Sequence, residues 1–154
     1  MAKLRDPKNG CPWDVEQDFA SIAPYTIEEA YEVVDAVESG DRDALRNELG
    51  DLLLQVVFFA RIAEEEGSFT LADIAKSVSN KMIKRHPHVF GNAVKPDILQ
   101  QKQQWEKIKK AERLANGQNG VLGDIPKGMP PMQRAVKLQK RAASVGFDWP
   151  EISQ

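Results

Sequence analysis

Apolar residues recur along most of the chain at three- and four-residue steps. No stretch alternates with period two over a useful length, so the pattern predicts an all-α protein. The first clear helix starts at Thr26, where Thr26 and Glu29 have capping-box spacing, and Ile27, Ala30, Tyr31, Val34 and Val37 mark its apolar face. Ser39-Gly40 ends it. Ahead of it, residues 1–25 are punctuated by Pro7, Gly10, Pro12 and Pro24 and predict an irregular lead-in, with a turn at Asn9–Asp14 and a short helical turn around Asp14 to Phe19. A second helix is predicted from Asp41 or Asp43 to about Glu66. Leu45, Leu49, Leu52, Val56 and Phe59 form one stripe, and Leu53, Leu54, Val57 and Phe58 fill other sides. A helix so apolar all round is central in a bundle or lies in a subunit interface.

Thr70 with Asp73 opens a third helix, apolar at Leu71, Ile74, Ala75, Val78 and Met82, which must stop before Pro87. A fourth fits Asp97 to Ala115, with Ile98, Trp105, Ile108 and Ala111 inward. Asn116–Gly120 and Pro126–Pro131 predict a break, and a last helix covers about Met132 to Ser144. The domain reading is 1–116 as one helical domain, 117–131 as a linker and 132–154 as a separate C-terminal segment.

Composition narrows the class. Of 154 residues, 42% are hydrophobic and 29% charged, which suits a folded core rather than disorder. No run approaches the roughly 20 apolar residues of a membrane span, and Met1–Gly10 lacks the apolar stretch of a signal peptide. With Cys11 as its one cysteine, the chain has no internal disulfide, and a cytoplasmic location is expected. The net charge of −2 argues against a general nucleic-acid binder, but it hides an asymmetry: residues 1–75 carry −11 and residues 76–154 carry +9.

The acidic half has a specific pattern. Glu28, Glu29, Glu32 and Asp35 lie on the first predicted helix; Glu48 and Asp51, then Gln55, lie on the second. Glu29/Glu32 and Glu48/Asp51 are both i,i+3 pairs, each on one helix face. The short Ser39-Gly40-Asp41 turn makes the helices antiparallel neighbours, so the pairs can face each other. Four such carboxylates repel at neutral pH, and a hard divalent cation with oxygen ligands is the natural compensation. Mg²⁺ prefers one or two carboxylates plus phosphate oxygens, which points towards phosphate chemistry.

These residues resemble a known pattern. Glu28-Glu29-x-x-Glu32 followed, after fifteen residues, by Glu48-x-x-Asp51 resembles the acidic signature of the all-α nucleoside triphosphate pyrophosphohydrolases, and more specifically the MazG family. Leu4–Pro7, Gly10–Asp14, Pro24–Glu29, Glu48–Leu53 and Arg85–Phe90 carry the same resemblance. It implies Mg²⁺-dependent hydrolysis, with Mn²⁺ as a substitute, of nucleoside triphosphates to monophosphate and pyrophosphate by a helical homodimer. Glu29, Glu32, Glu48 and Asp51 would be the metal ligands, and Glu28 an auxiliary acid hydrogen-bonding a water there. Members commonly carry two related domains. Gly146–Trp149 echoes Gly10–Asp14 before the chain stops, so the chain reads as a first domain with a remnant of the second. The alternative is a catalytically weak helical nucleotide-binding or protein-interaction module.

With that implication, Asn80, Lys81, Lys84 and Arg85 become candidates for holding the triphosphate; Lys81 and Arg85 are i,i+4, and arginine suits bidentate oxygen contacts. The alternative is a cationic helix end answering the macrodipole. His86 and His88 are expected to cap or fix a loop, Trp13 and Trp105 to be buried anchors, and Cys11 to be structural. A di-iron bundle is disfavoured, because Glu-x-x-His is absent: Ile83 and Arg85 stand three before His86 and His88.

Overall fold

The computed structural model describes residues 1–115, 117, 120–123 and 125–147. Its helices in chain order are α1 (Pro12–Glu16), α2 (Phe19–Ser39), α3 (Arg42–Glu65), α4 (Leu71–Arg85), α5 (Pro87–Phe90), α6 (Ile98–Ala115) and α7 (Pro131–Ala143). No strand occurs among the described residues, so the all-α expectation holds. Asn116, Gln118 and Asn119 of the predicted break, and Asp148 and Trp149 of the C-terminal echo, lie outside the described residues.

Side-chain caps set where the long helices start. Asp41 accepts hydrogen bonds from the Asp43 and Ala44 N–H groups ahead of α3. Thr70 and Asp73 cap α4 reciprocally, as their spacing predicts. Asp97 and Gln100 do the same for α6. The first long helix is the correction. It begins at Phe19, not Thr26, because Asp18 and Ser21 form the capping box: Asp18 accepts from the Ser21 N–H at 2.8 Å and Ser21 Oγ accepts from the Asp18 N–H at 2.9 Å. Pro24 then sits inside the second turn. It removes the donor for the Ala20 carbonyl, but Ala20 is exposed, where water can take that bond.

Contacts divide the chain into two compact units, Met1–Lys84 and a second from Arg85 onward. In the first, α2 and α3 are joined by the left-handed Gly40 and by Asp41, and pack along their lengths. Their core is small: Ile22, Phe58 and Ile62, with Met1, Phe19 and Phe59 against it. The residues that turn inward follow a three-four rhythm. On α2 they are Ile22, Thr26, Glu29, Val33 and Ala36; on α3 they include Glu48, Gln55, Phe58 and Ile62. The seam matches the expected stripes only in part: Leu45, Leu52, Val56 and Phe59 on α3 are partly buried as predicted. Ile27, Tyr31, Val34 and Val37 on α2, and Leu49, Leu53 and Leu54 on α3, are all exposed.

The N-terminal segment closes one end of this helix pair. Its turn returns the Gly10 N–H to the Asp6 carbonyl and the Cys11 N–H to the Leu4 carbonyl. A Cβ at position 10 would collide with the Leu4 and Asp6 backbone, so the turn needs glycine. Trp13 is half-exposed rather than a buried anchor, edge-on to Tyr25 and Phe58. Cys11 is a free thiol, partly buried at the start of α1.

The second unit centres on Trp105. His86 packs edge-on to it at 5.1 Å, and Arg85 and Lys109 lie over it at 5.3 and 5.6 Å. The His86 carbonyl accepts from the Val89 and Phe90 N–H groups, so His86 fixes the loop as expected and starts the short α5, which the sequence reading did not foresee. Ile98 is exposed, contrary to its predicted inward position, whereas Ile108 is partly buried.

Candidate metal centre

The polar stretch of the α2–α3 seam is where carboxylates converge. Ile22, Glu29 and Ala36 are spaced by seven on α2, so Glu29 falls on the same inward line as two buried residues. On α3, Glu48, Gln55 and Ile62 follow the same spacing, and Asp51 lies one turn from Glu48. Antiparallel packing sets the two runs opposite each other. Ligand oxygens of Glu29, Glu48 and Asp51 then all lie within 4.8 Å of one another. Glu32, one turn along α2, lies near enough to Glu48 for the two carboxyls to act on each other. Glu28 is exposed beside them and contributes to the local negative potential.

The electrostatics follow from this crowding. Glu29 is held above the usual carboxylate value of 4.5, first by burial and then by the charges of Glu32, Asp51 and Glu28. Glu32 is also raised, by desolvation and then by Glu48, with smaller pushes from Glu28 and Asp51. Among the described residues no lysine or arginine pairs with any of the four. The Gln55 amide does reach the cluster: its Nε2 donates to Glu29 Oε1 at 3.4 Å. Thr26, one turn before Glu29, has a buried hydroxyl without a partner, which leaves a spare polar group on the same line of α2. Hard oxygen donors in excess, uncompensated charge and carboxyls driven towards protonation are what a divalent cation would correct, so the residues fit such an ion.

That charge has a measurable sign. A carboxyl raised in the folded chain stabilises it fully below the unfolded value near 4.5, and loses that benefit as pH rises through the folded value. Without divalent ions, urea midpoints should therefore fall between pH 4.5 and neutrality, and Glu32→Gln should flatten that slope. Mg²⁺ should restore stability at neutral pH, by about 2.7 kcal/mol at a hundredfold excess over its dissociation constant. A wild-type midpoint indifferent to Mg²⁺ would rule out the centre.

The expected phosphate-binding residues lie elsewhere. Asn80, Lys81 and Lys84 are exposed on α4, which packs extensively against neither α2 nor α3. None is hydrogen-bonded or ion-paired to the carboxylates. Arg85 is engaged by Glu112 at 2.5 Å and lies over Trp105. The sequence expectation does not include Gln55, the next seam position after Asp51 and a hydrogen-bond donor to Glu29.

Fold and site together define an all-α protein whose antiparallel helix hairpin brings acidic side chains together, with Glu29, Glu48 and Asp51 close enough to share an ion. Residues 17–90 match the family model described as the MazG nucleotide pyrophosphohydrolase domain. The chain thus carries a MazG domain over those residues. It is 54% identical over 149 residues to the Escherichia coli K12 nucleoside triphosphate pyrophosphohydrolase, covering 97% of this chain and 57% of that protein. It is 44% identical over 149 residues to the Thermotoga maritima nucleoside triphosphate pyrophosphohydrolase/pyrophosphatase MazG, covering 97% and 56%, and 41% identical over 150 residues to the Mycobacterium tuberculosis nucleoside triphosphate pyrophosphohydrolase, covering 96% and 44%. The chain spans about half the length of these curated relatives. Among solved structures, a MazG-related protein from Thermotoga maritima superposes with a TM-score of 0.55 at 26% identity, over 65% of this chain and 87% of that one.

Proposed function

We infer that this chain hydrolyses nucleoside triphosphates to the monophosphate and pyrophosphate, with Mg²⁺, or Mn²⁺ in its place, held by Glu29, Glu32, Glu48 and Asp51. The observation that carries this reading is the convergence of Glu29, Glu48 and Asp51 oxygens within 4.8 Å, with Glu32 against Glu48. The names of the curated relatives supply the reaction class.

When bound, the ion supplies charge neutralisation at the phosphates and activation of water. The protein's own residues do the rest. The helix pair fixes four carboxylates before substrate arrives, so little reorganisation remains. Glu28, exposed beside Glu29 and Glu32, is the auxiliary acid in this reading, hydrogen-bonding a water there. Asn80, Lys81 and Lys84 on α4 and Arg85 at its end are the candidates for phosphate oxygens; Arg85 must exchange Glu112 for phosphate to serve.

The working form in this reading is a homodimer, in the cytoplasm. Its support is the exposed apolar stripe of α2 and α3, which includes Tyr31, Leu49, Leu53 and Leu54 at 49%, 49%, 59% and 44% exposure. No helix among the described residues is long and apolar enough to cross a membrane.

The test is pyrophosphate release from a panel of triphosphates with and without Mg²⁺. Monophosphate and pyrophosphate in equal amounts, only with the metal, are expected. Orthophosphate release, or binding without turnover, would overturn the reaction assignment and favour a nucleotide-binding module.

A further inference from the structure

Among the described residues of the first unit, Gln55 is the one buried polar residue, at 8% exposure, and the buried apolar residues there are Ile22, Ala36, Phe58, Ala60, Ile62 and Ala63. Stability alone favours an apolar side chain there. A buried amide must recover the hydrogen bonds it surrenders to water, or it destabilises the fold. Its side-chain bond runs from Nε2 to Glu29 Oε1 across the helix pair, and at 3.4 Å that bond is long. Gln55 also stands one turn from Asp51 and two from Glu48, on the seam that delivers both. It therefore touches the carboxylate cluster from below, where solvent does not reach.

We propose that Gln55 is a positioning residue for the metal centre: its amide N–H fixes one oxygen of Glu29 and leaves the other directed into the cleft. This inference rests on the metal reading above. Glu29 is the half-buried member of its pair and Glu32 the exposed one, so Glu29 is the ligand that most needs a fixed rotamer. A neutral donor does this without cancelling the negative charge that a cation needs. Lysine or arginine at position 55 would compete with the ion for the same carboxylates.

The test is isothermal calorimetry of Mg²⁺ alone, with urea unfolding and pyrophosphate-release kinetics, on the full chain bearing Gln55→Met. Methionine keeps the length and burial and removes the donor. Helix content is expected to persist and ion-free stability to equal or exceed that of the wild type. The Mg²⁺ dissociation constant should rise about 10- to 100-fold, with most of kcat recovered at saturating metal. A purely packing role would do the reverse, lowering stability and leaving the constant in place. Gln55→Asn, which withdraws the same amide by one methylene, serves if the methionine variant does not fold, and it should lose affinity likewise. Wild-type Mg²⁺ affinity in a folded Gln55 variant, alongside lost binding in Glu48→Ala, would overturn this role alone. Unchanged binding in Glu48→Ala as well would overturn the metal centre and this inference together.

Discussion

Glu48→Ala is expected to cut pyrophosphate release by about 10²- to 10³-fold or more, with helix content unchanged. Glu48 is the hinge of the cluster. Its oxygen lies within 4.8 Å of ligand oxygens on both Glu29 and Asp51, and its carboxyl meets that of Glu32. The residue forms no ion pair among the described residues and caps no helix, so the fold does not depend on it. Its removal relieves repulsion on Glu32, and the ion-free chain should become more resistant to urea at neutral pH. Activity and stability are thus expected to move in opposite directions, the mark of a residue kept for chemistry. Turnover rates and urea midpoints measured side by side check this. A folded Glu48→Ala with full turnover would remove the carboxylate cluster from the mechanism.

How far the sequence alone reaches is clearest on α2. The i,i+3 carboxylate pairs were legible because helix geometry is fixed, and Ser39-Gly40 left one plausible arrangement for the two helices. Thr70/Asp73 and Asp97 were legible because capping chemistry is local. The start of α2 was not. Thr26/Glu29 has good capping spacing, and Pro24 reads as a breaker, yet Asp18 and Ser21 cap the helix earlier. Nothing local decides between two adequate caps; tertiary packing of Ile22 and Phe19 on Phe58, Ile62 and Phe59 decides it. The inward face misled for a related reason. Apolar stripes are expected to turn inward, but here the acidic residues and Gln55 occupy the seam, while Tyr31, Val34, Leu49 and Leu53 face out. A chain that must hold a charged centre between two helices gives up apolar contact there, and its strongest apolar stripe remains for another surface. Arg85 makes the same point for charge: its pairing with Glu112, twenty-seven residues on, has no periodic signature.

Arg5→Ala is expected to destabilise the chain by about 2–3 kcal/mol, a fall of several degrees in Tm, although position 5 lies in a segment with no regular structure. The Arg5 side chain is 8% exposed. Its Nη2 donates to Glu65 Oε2 at 2.7 Å, with Nε on the same carboxylate, and Nη1 donates to the carbonyls of Asp14 at 2.6 Å and Gln17 at 2.9 Å. The guanidinium also lies 5.5 Å from the centre of the Phe58 ring. One side chain thus ties the N-terminal turn, the end of α1 and the last turn of α3 to a core of only a few buried residues. Alanine would take the guanidinium from the Asp14 and Gln17 carbonyls and leave Glu65 to Arg61 alone. Arg5→Lys should recover only part of the loss, because an ammonium cannot span all three acceptors in the guanidinium's planar geometry. The pH dependence has the opposite sign to that of the metal centre. Arg5, helped by Arg61, holds Glu65 below the usual 4.5. A lowered carboxylate gives stability that is complete above the unfolded value and is lost as pH falls through the folded one. Wild type should therefore weaken below pH 4.5, in a window separate from that of Glu29 and Glu32, and Arg5→Ala should lose much of that acid dependence while Arg61 retains the rest. Urea melts from pH 2.5 to 7.5 on both proteins measure it; a midpoint for Arg5→Ala that matches wild type at neutral pH would show that the N-terminal turn is held by its backbone bonds alone.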